Sequence, residues 1–239
     1  SKLIDDRARY DTVGLANVFL KNSKEAIWQV PPSQTFTYTN HAGFILTAAP
    51  STAKPYWFQQ GFMDSFEPGD KRRANWVGSV TAGGTTYYFP YKFKTAIGAT
   101  IPAPTEYNMV LRLAEQYLIR AEARINQGGA KIAAGIADLN VLRKRARDKP
   151  SVTVPNPLPE LSSSLGQADA LLAVENERRH ELFTECGHRW FDLIRTGRAS
   201  TILTPLKGVF WQSSDQLLPV PITEIEKNRS LLPQNPGYN

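Results

Sequence analysis

The sequence predicts a mainly α-helical fold. We expect tetratricopeptide-like helical hairpins of an α/α superhelix, with a long loop-rich segment and a few short β strands. Two observations carry this prediction. Residues 108–148 place apolar side chains three and four positions apart, which is the spacing of one helix face. Residues 31–107 show little such periodicity and are rich in glycine, proline and aromatic residues, as irregular segments are.

The first 107 residues contain few regular elements. We predict a helix over residues 12–21 and a short strand over Ala26–Val30, which two prolines end. Within the loop-rich segment, residues 85–93 have strand composition and follow a Gly83-Gly84 turn. Irregular segments as long as residues 31–107 are uncommon in compact domains and are often functional.

The helical hairpin is predicted over residues 108–148. Its first helix has an apolar stripe that ends at Ile125, and glycines 128 and 129 form the turn. Its length of about 40 residues is close to the tetratricopeptide unit of about 34. A single such unit cannot bury its apolar face alone. The stripe consists of Leu111, Ala114, Leu118, Ala121 and Ile125.

The C-terminal part, residues 167–239, is predicted to hold a long helix and a proline-rich tail. A Pro/Ser linker precedes the helix, which we expect to run from residue 167 to 185 and to stop at Gly187. A shorter helix is predicted over residues 190–195. In the tail, Thr223 and Glu226 have the spacing of a capping box.

Composition excludes several classes of protein. The chain has 239 residues with 41% hydrophobic residues, so we expect a globular protein. It contains one cysteine, which excludes an internal disulfide and a multi-cysteine zinc site. No apolar run reaches the roughly 18 residues of a membrane-spanning helix. The net charge of +6 comes without a nucleic-acid-binding motif, so we expect no nucleic-acid partner.

Residues 177–197 combine acidic residues, arginines and large aromatics, and they are the first candidate for chemistry. His180-Glu181 begins like the zinc motif His-Glu-x-x-His, but Thr184 occupies the place of the second histidine. The spacing of His180, Cys186 and His188 is not a known ligand pattern. We therefore expect no metal, and the sequence indicates no other cofactor.

Two interpretations of this charged stretch remain. Glu177, Glu181 and Glu185 lie on one helix face and could include the carboxylates of a glycoside hydrolase. Nearby arginines would keep them ionised, however, which does not suit a general acid. The interpretation we favour is a structural ion-pair lattice between helices. Its expected members are Glu115, Glu122, Arg178, Glu181, Arg189 and Asp192.

Several segments, in this order, resemble the RagB/SusD family of outer-membrane nutrient-binding proteins. The resemblance rests on residues 108–123, 137–146, 177–182 (ERRHEL), 189–197, 218–222 and 234–238, with weaker matches at residues 23–28 and 70–73. We expect residues 1–239 to correspond to the C-terminal portion of such a protein, without the N-terminal half. That half would carry the lipidated cysteine and most of the hairpins.

The resemblance implies a non-catalytic protein at the outer surface of the bacterial outer membrane. Such a protein would bind oligosaccharides and deliver them to a TonB-dependent, SusC-like transporter. Membrane association would come only from a lipid anchor that these residues do not contain. A helical-repeat module that binds peptides, and less favourably a carboxylate-based glycoside hydrolase, remain as alternative functions.

The family motifs are scaffold, so the ligand site has to be inferred from chemistry. Sugar rings stack on flat aromatic side chains, while amides bond their hydroxyls. The loop-rich segment offers two such places: Tyr56, Trp57 and Gln59 in one, and Tyr38 and His41 in the other. We expect Trp76, Tyr87 and Tyr88 to belong to the core instead.

Overall fold

The computed structural model describes residues 2–33 and 35–238. The chain divides into two compact units, Ser1–Cys186 and Gly187–Asn239. Helices form most of the regular structure, and the predicted mainly α class is confirmed. In the first unit the elements are α1 Lys2–Asp5, β1 Ala26–Val30, α2 Gln60–Met63, α3 Lys71–Trp76, β2 Val77–Ala82, β3 Thr85–Pro90, β4 Asn108–Arg112, α4 Leu113–Gln127, α5 Lys131–Ala146 and α6 Gln167–Glu181.

Helices α4 and α5 form the predicted hairpin. Gly128 ends α4 with a φ of 74°, which an L side chain rarely adopts. The apolar stripes of the two helices meet each other and helix α6, so the face that a single hairpin would expose is buried within this unit. Buried members of this core are Leu118, Ala121, Ile125, Ile136, Leu139, Leu142, Ala170 and Val174.

The helix predicted to begin at residue 108 begins at Leu113. Residues 108–112 instead form strand β4, which pairs antiparallel with β1. Leu111, expected in the apolar stripe, lies opposite Trp28 in this sheet and is 41% exposed. The local spacing suited a helix, but the hydrogen-bonded partner strand decides the conformation.

The helix predicted over residues 12–21 is wrong. The structure contains only a 3₁₀ turn at Leu15–Asn17. Leu15, Val18 and Phe19 do have helical spacing, and all three are buried. The carbonyl of Leu15 accepts a hydrogen bond from the Trp76 indole at 3.0 Å, which fixes this segment to a distant aromatic residue.

Helix α6 ends at Glu181, four residues earlier than predicted. The Glu181 carbonyl accepts hydrogen bonds from Lys92 Nζ and from Arg112 Nη2, both at 2.7 Å. In a continued helix this carbonyl would receive the Glu185 amide, which bonds to Leu182 instead. Two buried cations therefore hold the carbonyl and terminate the helix.

The loop-rich segment is more ordered than its composition indicated. Strands β2 and β3 form a hairpin, and the predicted turn is confirmed, with φ angles of 57° at Gly83 and 77° at Gly84. The predicted strand is shorter, ending at Pro90. Much of the aromatic content forms a second core, which includes Phe183, two residues after the end of α6. Its buried members are Leu15, Val18, Phe19, Phe66, Trp76, Phe93, Met109 and Phe183.

The second unit contains helices α7 His188–Arg195, α8 Ala199–Lys207 and α9 Ile222–Lys227. Gly187 has a φ of 71° and precedes α7, so it begins that helix and does not stop α6. The predicted capping box is wrong: Thr223 lies inside α9, which follows Pro221 and has no side-chain cap. Among the residues described, no helix has the length and apolar composition to cross a bilayer.

Gly135 allows helices α4 and α5 to pack closely against each other. A Cβ atom there would lie 2.6 Å from Ile125 Cγ1 and 2.7 Å from the backbone oxygen of Ala121. We expect Gly135→Ala to lower the free energy of unfolding by about 1–3 kcal/mol, because the helices must move apart. Urea denaturation would measure the loss.

Gly61 provides the matched control, since it lies in helix α2 and a Cβ atom there would meet nothing within 4 Å. Gly61→Ala should be neutral or stabilising by up to about 1 kcal/mol. Equal stability of the two variants would contradict the close contact at Gly135.

Candidate ligand-binding site

Three carboxylates of residues 177–197 belong to a buried group of ion pairs. Glu177, Glu181 and Glu185 are each at most 5% exposed, and their partners come from elements far along the chain. We call nine of these buried residues the ion-pair cluster; Arg143 lies next to it, 3.5 Å from Glu177. The cluster consists of Glu25, Asp70, Arg72, Lys92, Arg112, Arg145, Glu177, Glu181 and Glu185.

Arg112, the last residue of β4, lies at the centre of the ion-pair cluster. Its guanidinium donates to Glu25 at 2.8 Å, to Glu181 at 2.7 Å and to Glu185 at 2.7 Å. Arg145 of α5 also bonds both Glu25, at 2.6 Å, and Glu181. A planar guanidinium has several donors, so it can join carboxylates that reach it from different elements.

Arg72 and Lys92 complete the ion-pair cluster. Arg72 donates to Asp70 at 2.7 Å and to Glu177 at 2.5 Å. Lys92 lies 2.5 Å from Glu185 and 4.0 Å above the Phe183 ring. Burial lowers the pKa of Lys92 to about 8 although Glu185 opposes the shift. The cations thus meet both carboxylates and aromatic faces.

The electrostatics of this group do not suit acid–base catalysis on a substrate. Burial acts to raise the pKa of Glu181, but Arg145, Arg112 and Arg72 outweigh it and hold the pKa below its usual value. Burial raises the pKa of Glu177, yet this carboxylate is 2% exposed and bound to Arg72. A general acid needs access to its substrate, which these carboxylates lack.

The predicted lattice residues are distributed more widely than expected. Glu181 lies in the ion-pair cluster, while Glu115 and Glu122 are half-buried on α4 and Arg178 is buried on α6. The lattice roles of Glu115, Glu122, Arg178 and Arg189 stay predictions. Asp192 belongs to the second unit, where its carboxylate lies 2.8 Å from Arg195.

Sequence reasoning missed the arginines that supply the positive charge. Arg72 lies in residues 70–73, which the sequence offers only as a weak family match. Arg112 follows Leu111, a member of the predicted apolar stripe. Neither position showed that its side chain would be buried. For Arg112 the signal available was its apolar sequence neighbours, since an arginine buried among them requires a carboxylate partner, whereas the polar neighbours of Arg72 gave no such signal.

The histidines do not assemble a metal site. Across residues 2–33 and 35–238, no group of three or more His, Cys, Asp or Glu side chains is arranged to hold a metal ion. His180 is buried, and its Nε2 lies 2.9 Å from Ser65 Oγ. Burial and the charge of Arg72 lower the pKa of His180 to about 3, so the ring is neutral at pH 7.

An exposed aromatic surface beside a cavity lies in the loop-rich segment around Trp57. Trp57 is 49% exposed, and its ring meets the half-buried Tyr87 edge-on, with centroids 5.9 Å apart. Beside it, Tyr56 is 64% exposed and contacts Phe44. A cavity of about 430 Å³ adjoins the rings. Its lining residues are Pro50, Ser51, Thr52, Pro55, Trp57 and Tyr87.

Backbone contacts hold this surface in place. The Phe58 amide donates to the Tyr88 carbonyl at 2.7 Å, which attaches the aromatic segment to strand β3. Ser51 and Lys54 form a short bridge, and Lys54 Nζ donates to the Ile45 carbonyl at 2.8 Å. The exposed ring of Trp57 is thus presented from fixed backbone, which limits the entropy lost on binding.

The other predicted contact residues are placed differently. Gln59 is exposed at the start of α2, close in sequence to Trp57. Tyr38 is half-buried against Phe36, with ring centroids 5.1 Å apart. The contact roles of Gln59 and Tyr38 stay predictions.

His41 faces the interior. Its ring stacks on Phe93 at 4.3 Å, and its Nε2 lies 3.2 Å from the Thr184 carbonyl oxygen. Its Nδ1 is buried without a hydrogen-bond partner among the residues described. Burial lowers the pKa of this imidazole although Glu185 opposes the shift. In this conformation neither ring nitrogen is presented to a ligand.

Two residues expected in the core are found at its edge. Trp76 is buried as expected, at 1% exposure, but Tyr87 and Tyr88 are only half-buried. Tyr87 lines the cavity beside Trp57. The expectation of a core position is met in part by Tyr87, which packs against the buried Ile45, Leu46 and Phe89, whereas no buried cluster of the described residues includes Tyr88.

Comparison with known proteins gives concordant results. Residues 75–238 match the model of the SusD family. Among curated proteins, SusD-like protein P2 of Formosa agariphila is 35% identical over 133 residues, covering 54% of this chain and 25% of that protein. SusD-like protein P38 of the same organism is 34% identical over 109 residues, covering 45% of this chain and 21% of that protein.

Solved structures show the same fold. Surface glycan-binding protein A from Bacteroides thetaiotaomicron aligns with a TM-score of 0.71 and 19% identity, covering 99% of this chain and 57% of that one. A SusD superfamily protein from Bacteroides vulgatus aligns with a TM-score of 0.68 and 25% identity, covering 100% of this chain and 53% of that one. The chain thus spans about half the length of these solved relatives, and a smaller share of the curated ones.

Replacing Glu181 tests the ion-pair cluster. Glu181→Gln keeps the shape but leaves Arg112 and Arg145 buried with one carboxylate fewer. We expect the free energy of unfolding at pH 7 to fall by about 3–5 kcal/mol, measured by urea denaturation. Glu224→Gln is the control, because its pair with Lys227 is exposed and should contribute less than about 1 kcal/mol.

The native chain and Glu181→Gln should also differ in the pH dependence of their stability. The folded-state pKa of Glu181 lies below its ordinary value of 4.5. Its stabilising contribution is therefore present above pH 4.5 and is lost as the pH falls through the lower, folded-state pKa. The stability difference between the native chain and Glu181→Gln should narrow in acid. A difference that widened below pH 4.5 would contradict this assignment.

Proposed function

Because this chain belongs to the SusD family, we propose that it binds oligosaccharides at the bacterial cell surface without modifying them. The observation that carries the proposal is the half-exposed Trp57 ring beside Tyr87 and a cavity of about 430 Å³. That volume lies within the range of about 300–1,000 Å³ of small-molecule sites. Support also comes from a fold neighbour whose name describes a surface glycan-binding protein.

The proposed mechanism uses ring stacking and hydrogen bonds. The apolar face of a sugar ring would pack on Trp57, while Tyr56 extends the aromatic surface along the oligosaccharide. The hydroxyls of Ser51 and Thr52, which line the same cavity, would bond to sugar hydroxyls. Gln59 is close enough along the chain to add an amide from the rim. No step in this scheme needs an ionised or protonated catalytic group.

The proposal also covers where the protein is located and which protein receives its ligand. We infer attachment to the outer membrane through a lipid anchor, and delivery of the bound glycan to a TonB-dependent, SusC-like transporter. Both inferences rest on family membership. A binding protein that hands its ligand on must release it, and an open surface site allows exchange more readily than an enclosed one.

The alternative functions have weaker support. A glycoside hydrolase would need carboxylates that face a cleft, whereas Glu177, Glu181 and Glu185 are buried against cations. A peptide-binding repeat would need a free apolar groove on the hairpin. Helix α6 packs against α4 with Ala170 and Val174, so that face is filled.

Titration of the full chain with a panel of neutral oligosaccharides tests the proposal. We expect Trp57→Ala to raise the Kd of the bound glycan by about tenfold or more, since a stacked aromatic anchor contributes on the order of 2 kcal/mol. Isothermal titration calorimetry would measure both proteins.

Trp28→Ala is the matched control. Trp28 is 55% exposed, but it lies on strand β1, away from the Trp57 cavity lining. Its replacement should leave the Kd unchanged within about twofold. Equal weakening by the two substitutions would argue against the Trp57 surface. Release of shortened sugars during the titration would instead favour the hydrolase.

A further inference from the structure

A second cavity lies on the other face of the β2–β3 hairpin. Its volume is about 640 Å³, larger than that of the cavity beside Trp57 and again within the range of small-molecule sites. Its lining includes the apolar Phe66 and Val77. Polar and charged lining residues include Lys71, Arg73, Ser79, Tyr88 and Asp148.

The hairpin register explains why one strand lines two cavities. Ser79 lies opposite Tyr88, while Val80 lies opposite Tyr87. Successive side chains of a strand point to opposite faces, so Tyr87 and Tyr88 cannot share a face. Tyr87 turns to Trp57, and Tyr88 turns to the second cavity together with Ser79. The Trp57 site therefore does not account for Tyr88.

Polar groups of this cavity are available to a ligand. Tyr88 is half-buried, and Ser79 is exposed. Neither hydroxyl has a hydrogen-bond partner within the described part of the chain. A tyrosine ring offers a flat face for a sugar, with a hydroxyl at its end. This combination matches the aromatic and polar character expected of a sugar site.

The wall of the cavity at residues 67–70 has a fixed shape. The Asp148 amide donates to the Gly69 carbonyl at 2.9 Å, and the Leu158 amide donates to the Pro68 carbonyl at 2.9 Å. Gly69 has a φ of 78°, and a Cβ atom there would lie 2.1 Å from Pro157. The wall is packed against the chain following α5, so the cavity is preformed.

The balance of charge in the cavity is positive. Two of its acids are already paired, since Glu67 binds Arg143 at 2.7 Å and Asp70 binds Arg72 at 2.7 Å. Lys71 and Arg73 have no ionic or hydrogen-bonding side-chain partner among residues 2–33 and 35–238. Asp148 is the one lining carboxylate without an ionic partner among the same residues. Two cations without ionic partners therefore line the cavity beside one such carboxylate, which leaves one positive charge in excess.

We propose that this cavity is a second sugar site that binds an acidic residue of an oligosaccharide. Tyr88 would stack on the sugar ring, and Lys71 and Arg73 would bond its carboxylate or sulfate group. The net charge of +6 on the chain would attract such polyanions. This inference rests on the proposed function, which it extends from neutral to acidic glycans.

Titrations of the full chain with three matched sugars test the inference. The probes are the trimer of galacturonic acid, the neutral trimer of galactose and the trimer of galactose 6-sulfate, with inorganic sulfate measured alone. We expect at least one acidic sugar to bind more tightly than the neutral trimer. Lys71→Gln combined with Arg73→Gln should raise the Kd of that acidic sugar by about tenfold or more, as should Tyr88→Ala.

The control removes two charges elsewhere. Lys24 and Lys131 are exposed and line neither cavity. Lys24→Gln combined with Lys131→Gln should leave the Kd within about twofold of the native value. Equal weakening by this control would show general electrostatic attraction and would overturn the site. So would an unchanged Kd in the Lys71/Arg73 variant, or failure of both acidic sugars to bind.

The experiment separates this site from the one at Trp57. Trp57→Ala should weaken the neutral glycans while leaving the acidic sugar bound at the second cavity. Loss of acidic binding in Trp57→Ala, with none in Tyr88→Ala, would overturn the second site but support the first. Binding of inorganic sulfate as tight as that of the sulfated sugar would also overturn it, because the sugar ring would then contribute nothing. The carboxylate and sulfate arms identify which acidic group is preferred.

Discussion

The structure of the first unit depends on the pairing of buried charges around Arg112. This guanidinium, at the end of β4, joins Glu25 just before β1, Glu181 at the end of α6 and Glu185 in the turn that follows. Removing charges from water costs several kcal/mol for each ion, so every member must find its partners at once. The same requirement decides local structure. Lys92 and Arg112 take the Glu181 carbonyl from the helix ladder, and α6 ends there.

The β2–β3 hairpin, in the same unit as these ion pairs, has a cavity beside each of its two faces. One face supports Tyr87 beside Trp57, and the other presents Tyr88 to the cavity that Lys71 and Arg73 line. Antiparallel sheets often leave one face exposed to solvent. In the described part of the chain this sheet has two strands, and Tyr87 and Tyr88 on its opposite faces are each half-buried. The openness turns a minor element of the fold into the support for both proposed sites.

The sequence predicted the elements whose signals are local and missed those that depend on distant partners. Hairpin α4–α5, the start of α6, strand β1 and the Gly83-Gly84 turn follow from spacing and turn residues. Strand β4 could not be foreseen, because its partner lies about 80 positions earlier, and the helical spacing of residues 108–112 pointed the other way. Trp57 was predicted as a ligand contact from composition alone; its ring is half-exposed, and its contact role stays a prediction. That Tyr87 and Tyr88 point to opposite faces follows from the alternation of a strand, but which cavity each face meets depends on distant segments packed against the hairpin.

The ion-pair cluster also bears on the kinetics of folding. Its hydrogen bonds join residues 69, 73, 87, 105 and 120 positions apart in the chain. Contacts of such high order form only after long loops have closed, and a lone charge stays hydrated until its partners arrive. Interactions that appear after the transition state contribute chiefly to the barrier against unfolding. We therefore expect the buried charges to pair late in folding. They should change the folding rate little and should slow unfolding.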